Sequence, residues 1–360
     1  MRTLVETGTV NIGRLTLESG IVLDQVHLAY EWARKDNSPI VLACHALTGN
    51  HRTIGDEVRP GWWNGLIGKG KSIDTDTYSV ISFNVLGGCN GSTGPLTLHP
   101  HTKEPYRANF PDITIRDMVH AERKALTILG IERLHTVIGG SLGGMRVLEW
   151  GVMYPDDMDL LIPIAVTPSL SAYGIAFNCI GLHAIESDEE YAGGYYKDAT
   201  KVKGFETARM AGMVTYRSDH LFNERFARKA SEQGGYEVES YLHHVGKKIT
   251  GHFDPNSYCT LLRALNTHDI GRGRGGIAAS AKLIQAKTVL IGFTHDLIYP
   301  PETIRSFSHL LPDASFCLIN SEFGHDGFLT EFNKWGIFIR QSMEVATCRQ
   351  SKPQYLASVR

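Results

Sequence analysis

Short, continuous apolar runs alternate with helix-patterned segments along much of this 360-residue chain. Residues 40–44, 78–85 and 135–138 form strand-sized runs of the kind expected for strands buried on both faces. Between the last two runs, residues 117–129 space their apolar side chains as a helix does, which predicts a strand–helix–strand unit. Units of this kind build a mainly parallel sheet flanked by helices, so the pattern predicts the α/β class.

The alternation stops once, in the second half of the chain. Three further strand-sized runs continue the series, at 160–166, 288–293 and 315–319. A closing helix is predicted at 328–345, and an antiparallel hairpin at 15–32. Between the predicted strands 160–166 and 288–293, residues 167–285 are helix-like and more polar. The length permits two separate domains, but we expect one α/β core of residues 1–166 and 286–360 with a helical lid inserted at 167–285.

The charge balance argues against polyanionic partners. There are 36 Lys and Arg residues against 38 Asp and Glu, so the formal net charge is -2 and no broad basic field is available for nucleic acid or anionic membranes. No apolar run approaches the roughly 18 residues that a membrane span needs. The six cysteines are scattered, and no apolar signal segment follows the first residues. We therefore expect a reduced, cytoplasmic protein that binds neither nucleic acid nor membranes.

The most informative segment joins a predicted strand to a predicted helix through the motif G-x-S-x-G, formed by Gly139, Ser141 and Gly143. In this context only glycine fits beside the tight turn, and the serine hydroxyl is exposed at the end of the strand. The helix that follows points its first N–H groups toward developing negative charge. The motif predicts that Ser141 is a nucleophile, although similar turns also occur without catalysis or around phosphates.

A nucleophilic serine needs a histidine to take its proton and a carboxylate to orient that histidine. With this motif the expected chain order is serine, acid, histidine. Asp296 follows the predicted strand 288–293, and His325 follows the predicted strand 315–319, so both are expected at the sheet edge that carries the serine. We predict that they complete a catalytic triad. The alternatives are that Asp296 is a turn or helix-cap residue and that His325 is a structural histidine.

Acyl transfer by such a triad also requires two N–H donors for the oxyanion. We expect one from the backbone of Leu142, directly after the serine, and one from the backbone of Leu47, in the loop after the strand 40–44. An ordinary turn at Leu47 is an equally good interpretation of that loop.

Other suggestive segments carry less information. His99 and His101, like the adjacent pair His243 and His244, lack the matched ligand set of a metal site, so we expect no metal. The Gly/Arg segment 271–276 is interpreted as a solvated turn, with binding of a cofactor phosphate as the alternative.

Several longer segments resemble the homoserine O-acetyltransferase family, a branch of the α/β-hydrolase fold, and the resemblance extends from about residue 13 to residue 339. Seven segments carry it: 44–49, 86–95, 110–117, 139–145, 215–218, 253–258 and 324–329. The resemblance implies Ser141 as nucleophile, Asp296 as orienting acid and His325 as base, in agreement with the analysis of the motifs.

The resemblance also implies residues that bind the amino-acid substrate. By position, Arg209 would bind its carboxylate and Asp326 its ammonium group, with Tyr216 as a further candidate. The alternatives are a surface position on a helix for Arg209 and a helix N-cap for Asp326. A homodimer formed through the helical lid is a further expectation from the family.

The expected reaction is therefore a ping-pong transfer of an acetyl group from acetyl-CoA to the hydroxyl of L-homoserine, through an acyl-Ser141 intermediate. The family places this reaction in methionine biosynthesis, with acetyl-CoA as co-substrate and no permanently bound cofactor. Three alternatives stay open at the level of sequence: a succinyl donor, a serine acceptor, and an ester hydrolase that uses the same triad. A catalytically silent protein on this fold is disfavoured because the triad residues and Gly139 and Gly143 are all present.

Overall fold

The computed structural model describes residues 4–232 and 234–350, and its centre is one eight-stranded sheet. The strands of that sheet are β1 (Leu4–Thr16), β2 (Val22–Arg34), β3 (Ile40–Cys44), β6 (Ser79–Phe83), β7 (Leu134–Gly140), β8 (Met158–Ile164), β9 (Lys287–Phe293) and β10 (Ala314–Ile319). Their spatial order is β1-β2-β6-β3-β7-β8-β9-β10. The pairs β1–β2 and β2–β6 are antiparallel and the remaining pairs are parallel, which confirms the predicted fold class. Strands β4 (Ile67–Gly68) and β5 (Ile73–Asp74) form a separate small ladder.

Helices follow most of the strands and fill the segment between β8 and β9. The α-helices are α1 (Ile115–Ile128), α2 (Leu142–Met153), α3 (Ala172–Glu186), α4 (Lys203–Tyr216), α5 (Asp219–Phe226), α6 (Glu237–Ile249), α7 (Pro255–Asn266), α8 (Ile277–Ala281), α9 (Pro301–Ser308), α10 (Gly327–Thr330) and α11 (Phe332–Gln350). Short 3-10 turns occur at Arg107–Asn109, Glu189–Gly194, Ala199–Lys201 and Gly324–Asp326. None of the helices in the described ranges is long and apolar enough to cross a membrane.

The sheet has an apolar core on each face. On one face, side chains of α1 and α2 such as Met118 and Trp150 pack in one buried cluster. On the other, Trp335 and Ile339 of α11 pack in a second cluster with residues of the same strands. Every residue of β6 and β7 is buried, which explains why these strands read as continuous apolar runs.

Three predicted boundaries differ from the structure, each for a local reason. The hairpin is longer than predicted, because β1 and β2 pair from Leu4 opposite Arg34 up to the turn. Helix α1 begins before Asp117, because Thr114 is the N-cap and Asp117 closes a capping box with it. The predicted closing helix is two helices, α10 and α11, separated at Glu331, whose backbone leaves the helical region.

Residues between β8 and β9 add no strand to the eight-stranded sheet within the described ranges. Helices α3, α4 and α7 instead supply one wall of a pocket whose other wall is the carboxyl edge of the sheet. The bounds 167–285 for the inserted lid stay a prediction. The ends of the predicted core, residues 1–3 and 351–360, lie outside the described residues.

Candidate active site

Ser141 occupies the tight turn between β7 and α2, with backbone angles φ 57° and ψ -123°. L-residues rarely adopt this conformation, and its strain is held by the packing around the turn. The turn leaves no room for a side chain at Gly139 or at Gly143. A Cβ at Gly139 would lie 2.7 Å from the backbone of Gly143, and one at Gly143 would overlap the carbonyl oxygen of Cys44. The G-x-S-x-G pattern therefore has a steric origin here, as the sequence predicted.

Asp296 and His325 meet at the same edge of the sheet, beyond the ends of β9 and β10. The Nδ1–H of His325 donates to Asp296 Oδ2 at 2.8 Å, and both side chains are buried. Asp296 Oδ1 accepts the backbone N–H groups of Ile298 at 3.0 Å and Tyr299 at 2.9 Å. These bonds fix the carboxylate, which in turn fixes the imidazole with Nε2 free to accept a proton.

The electrostatic environment of His325 has two opposing parts. Burial alone would lower the pKa of its imidazole, but the Asp296 carboxylate and, to a smaller extent, Asp326 favour the protonated form. The pKa of His325 therefore lies above its ordinary value. Tyr299 covers the ring, with centroids 5.1 Å apart. Sequence reasoning did not identify Tyr299.

The loop after β3, which carries Leu47, is held by a buried polar network. His45 Nε2 accepts the backbone N–H of Val85 at 3.0 Å, so Nδ1 carries the proton and donates to Ala46 O at 2.7 Å. Burial, followed by the nearby Arg146, lowers the pKa of His45 well below its ordinary value, so this ring stays neutral. Leu47 itself lines the pocket together with Ser141.

Arg146 anchors the same loop from behind. This fully buried guanidinium donates to His45 O at 2.6 Å and is paired with the equally buried Glu122. Sequence reasoning missed the pair. A signal was available, since Glu122 lies four residues after Met118 on the apolar face of the predicted helix, where an acid requires a buried partner.

One pocket collects most of the predicted side chains. Its lining includes the predicted residues Leu47, Ser141, Arg209, Tyr216, His325 and Asp326. Asp296 lies behind His325, and Leu142 is the first residue of α2, where helix geometry leaves the N–H without an intrahelical partner. The fold thus brings residues from both ends of the chain and from the helical segment to one place.

The pocket holds an arginine and an aspartate that could bind a zwitterion. Arg209, on α4, is half-buried and its guanidinium carbon lies 5.6 Å from the ring centroid of Tyr216. Asp326 occupies the N-cap position of α10, but its side chain makes no capping hydrogen bond there. Its Oδ2 instead accepts from Nε of Arg217 at 3.2 Å. Arg217 was not among the predicted site residues.

The Gly/Arg segment 271–276 lies in a network of ion pairs. Arg274 pairs with the buried Glu149 at 2.7 Å, and Arg272 pairs with Glu18 at 2.7 Å. Arg274 therefore connects the segment to the core and Arg272 connects it to the turn between β1 and β2, which explains their presence without a cofactor phosphate. In the described ranges, no group of three His, Cys, Asp or Glu side chains is arranged to hold a metal ion.

Comparison with known proteins gives a consistent result. A family model described as alpha/beta hydrolase fold matches residues 39–332. The chain is 43% identical over 339 residues to a homoserine O-acetyltransferase of Symbiobacterium thermophilum, covering 88% of each chain. Among solved structures, a homoserine O-acetyltransferase from Bacillus anthracis superposes with a TM-score of 0.88 at 25% identity, covering 94% of this chain and 98% of that one. Esterase E22 superposes with a TM-score of 0.87 at 26% identity, covering 94% and 100%.

Proposed function

Because the chain belongs to the homoserine O-acetyltransferase family within the alpha/beta hydrolase fold, we propose that it acetylates homoserine by a ping-pong mechanism through Ser141. The activity itself, O-acetylation of homoserine, follows from membership of the family. The observation that carries the mechanism is the joint placement of Ser141, His325, Arg209 and Asp326 in one pocket.

In the first half-reaction, we assign the general base to His325 Nε2. It takes the hydroxyl proton of Ser141 as Oγ attacks the thioester carbonyl of acetyl-CoA, and the tetrahedral oxyanion is bound by the N–H groups of Leu47 and Leu142. The C–S bond then breaks, His325 returns the proton to the sulfur, and CoA leaves. The result is an acetyl ester on Ser141.

In the second half-reaction, the side-chain hydroxyl of homoserine takes the place of CoA. His325 accepts its proton as the oxygen attacks the acetyl ester, the bond to Ser141 Oγ breaks, and His325 reprotonates the serine. The products are O-acetylhomoserine and free enzyme. The Asp296 carboxylate stabilises the imidazolium that forms twice in each cycle.

Selection of homoserine over water rests on charge. We assign the acceptor's carboxylate to the guanidinium of Arg209 and its ammonium group to Asp326, with Tyr216 completing the wall between them. A zwitterion held at both ends presents its hydroxyl to the acyl-enzyme at high effective concentration, whereas water has no such anchor. This arrangement distinguishes the transferase from an esterase that uses the same triad.

Three further expectations concern the acyl donor, the oligomeric state and the cellular location of the enzyme. We propose acetyl-CoA as the donor and no permanently bound cofactor, as the family implies. The homodimer through the helical lid and the cytoplasmic location stay predictions.

Mass spectrometry of the intact protein after brief mixing with acyl-CoA tests the proposal. We expect the mass of one acetyl group at Ser141 with acetyl-CoA, less labelling with succinyl-CoA, and discharge on addition of homoserine. The Ser141→Ala variant is the control and should stay unlabelled. Labelling at another residue would contradict the mechanism, and discharge at the same rate with or without homoserine would favour an esterase.

A further inference from the structure

We propose that Arg217 is a positioning residue that holds Asp326 as an anion ready to bind the ammonium group of homoserine. The inference rests on the proposed function, because it takes Asp326 as the ammonium site. It assigns Arg217 no contact with the substrate and no part in the reaction with acetyl-CoA.

Arg217 is placed to act on one oxygen of Asp326. It directly follows α4 in an extended conformation (φ -115°, ψ 150°), and its Nε lies 3.2 Å from Asp326 Oδ2. The two side chains are only 20% and 15% exposed, so the pair is poorly screened by solvent. The guanidinium carbon also lies 5.7 Å from the ring centroid of Tyr241 on α6, which limits where the cation can move. The ammonium group is left to Oδ1.

Asp326 needs a partner to stay ionised. Burial raises the pKa of its carboxyl group above the ordinary value, while His325, Arg217 and Arg209 oppose the rise. Tyr216, a further titratable group of the pocket, is partly buried, and desolvation raises its pKa above the ordinary value, so it is neutral and supplies no positive charge.

Of the three groups that lower the pKa of Asp326, only Arg217 can provide its positive charge to Asp326 throughout the reaction with homoserine. His325 must be neutral to accept the proton of the homoserine hydroxyl, so it gives no positive charge at the step where the acceptor is needed. Arg209 is occupied by the carboxylate of the same acceptor in the proposed complex. Arg217 therefore supplies the permanent positive charge that keeps Asp326 ionised. Without Arg217, Asp326 would be protonated more easily, and a protonated Asp326 carries no negative charge to attract an ammonium group.

The two half-reactions separate this role from a structural one. In Arg217→Gln, we expect kcat/KM for homoserine to fall about 10- to 100-fold, as for loss of a hydrogen bond to a charged group. The acid limb of that parameter should move to higher pH, because Asp326 then protonates more easily. The burst of CoA released on mixing with acetyl-CoA should stay at the parent rate. Arg217→Lys keeps the charge and should recover part of the loss.

Arg225 provides a matched control. It also lies over Tyr241, with its guanidinium carbon 5.0 Å from the ring centroid, but it is exposed and makes no ion pair with Asp326. Arg225→Gln should leave both half-reactions unchanged. An Arg217→Gln variant with parent kinetics toward homoserine, with an unmoved acid limb, or with an equally slowed CoA burst would overturn the inference.

Asp326→Asn separates the inference from the proposed function. If this variant lowers kcat/KM for homoserine and Arg217→Gln does not, the ammonium site stands and only the role of Arg217 fails. If Asp326→Asn leaves homoserine kinetics unchanged, the assignment of Asp326 itself fails, and the inference about Arg217 fails with it.

Discussion

Replacing Asp296 by asparagine tests which ring nitrogen of His325 carries the proton. Asp296 Oδ1 accepts two backbone N–H groups, at 3.0 and 2.9 Å, so the amide oxygen of the variant must take that place. The amide nitrogen then faces His325 Nδ1, where Oδ2 lies at 2.8 Å in the parent. An amide nitrogen only donates hydrogen bonds, so it favours the tautomer with the proton on Nε2. That tautomer cannot accept the proton of Ser141.

The expected loss is large because the variant keeps the geometry and inverts the hydrogen bond. We expect kcat to fall about 10⁴-fold, as in other triads whose acid is replaced by its amide. At 1.36 kcal/mol per tenfold change, this is about 5.5 kcal/mol of transition-state stabilisation. The acid limb should also move to lower pH. Burial lowers the pKa of His325 and the Asp296 carboxylate raises it, so removal of that charge leaves the lowering influence opposed only by the smaller effect of Asp326.

The assay is CoA release from acetyl-CoA in the presence of homoserine, followed across the acid range of pH. Glu302→Gln is a suitable control, since Glu302 is an exposed acid in the first turn of α9, outside the pocket lining. A loss of less than tenfold, or an acid limb that stays in place or rises, would refute the role assigned to Asp296.

Three further predictions concern the turn, the carboxylate site and the loop anchor. Ser141→Gly should raise the free energy of unfolding by about 1–3 kcal/mol relative to Ser141→Ala, because only glycine relieves the strain at φ 57°; equal urea midpoints would contradict this. Arg209→Met should raise KM for homoserine about 10- to 100-fold with an unchanged CoA burst, and a slowed burst would place Arg209 elsewhere in the cycle. Arg146→Met should lower the free energy of unfolding by about 3–5 kcal/mol, because Glu122 is then buried without its ion-pair partner. A decrease of less than about 1 kcal/mol in urea denaturation would show that Glu122 finds another partner.

Much of the architecture could be predicted because parallel strands bring their carboxyl ends to one edge. The placement of Ser141, Asp296 and His325 required only the strand pattern and the position of each residue after a strand. Element ends were less predictable. The helix is interrupted at Glu331, whose side chain accepts a hydrogen bond from Ser321 in the loop after β10, a contact that the sequence pattern does not show.

The supporting residues could not be predicted for a related reason. Arg217 directly follows Tyr216 in the chain, yet its partner Asp326 is 109 residues away, and their meeting depends on where α4 ends relative to the turn that carries His325. Arg146 and Glu122 lie on neighbouring helices; an acid on the apolar face of α1 indicates a buried partner, but nothing local shows that the partner is Arg146 or that Arg146 also bonds to the loop after β3. Such residues are found by asking where each buried charge is neutralised.

The placement of the helical segment between β8 and β9 has a consequence for biosynthesis of the enzyme. As the chain leaves the ribosome, strands up to β8 can pair and Ser141 can reach its turn long before its base and acid exist. β9 and β10 must then add to the edge of a sheet already formed, because their parallel neighbours are β8 and β9. The nascent enzyme is therefore inert toward acyl donors until its last two strands are made, and an incomplete chain exposes the edge of β8 to aggregation.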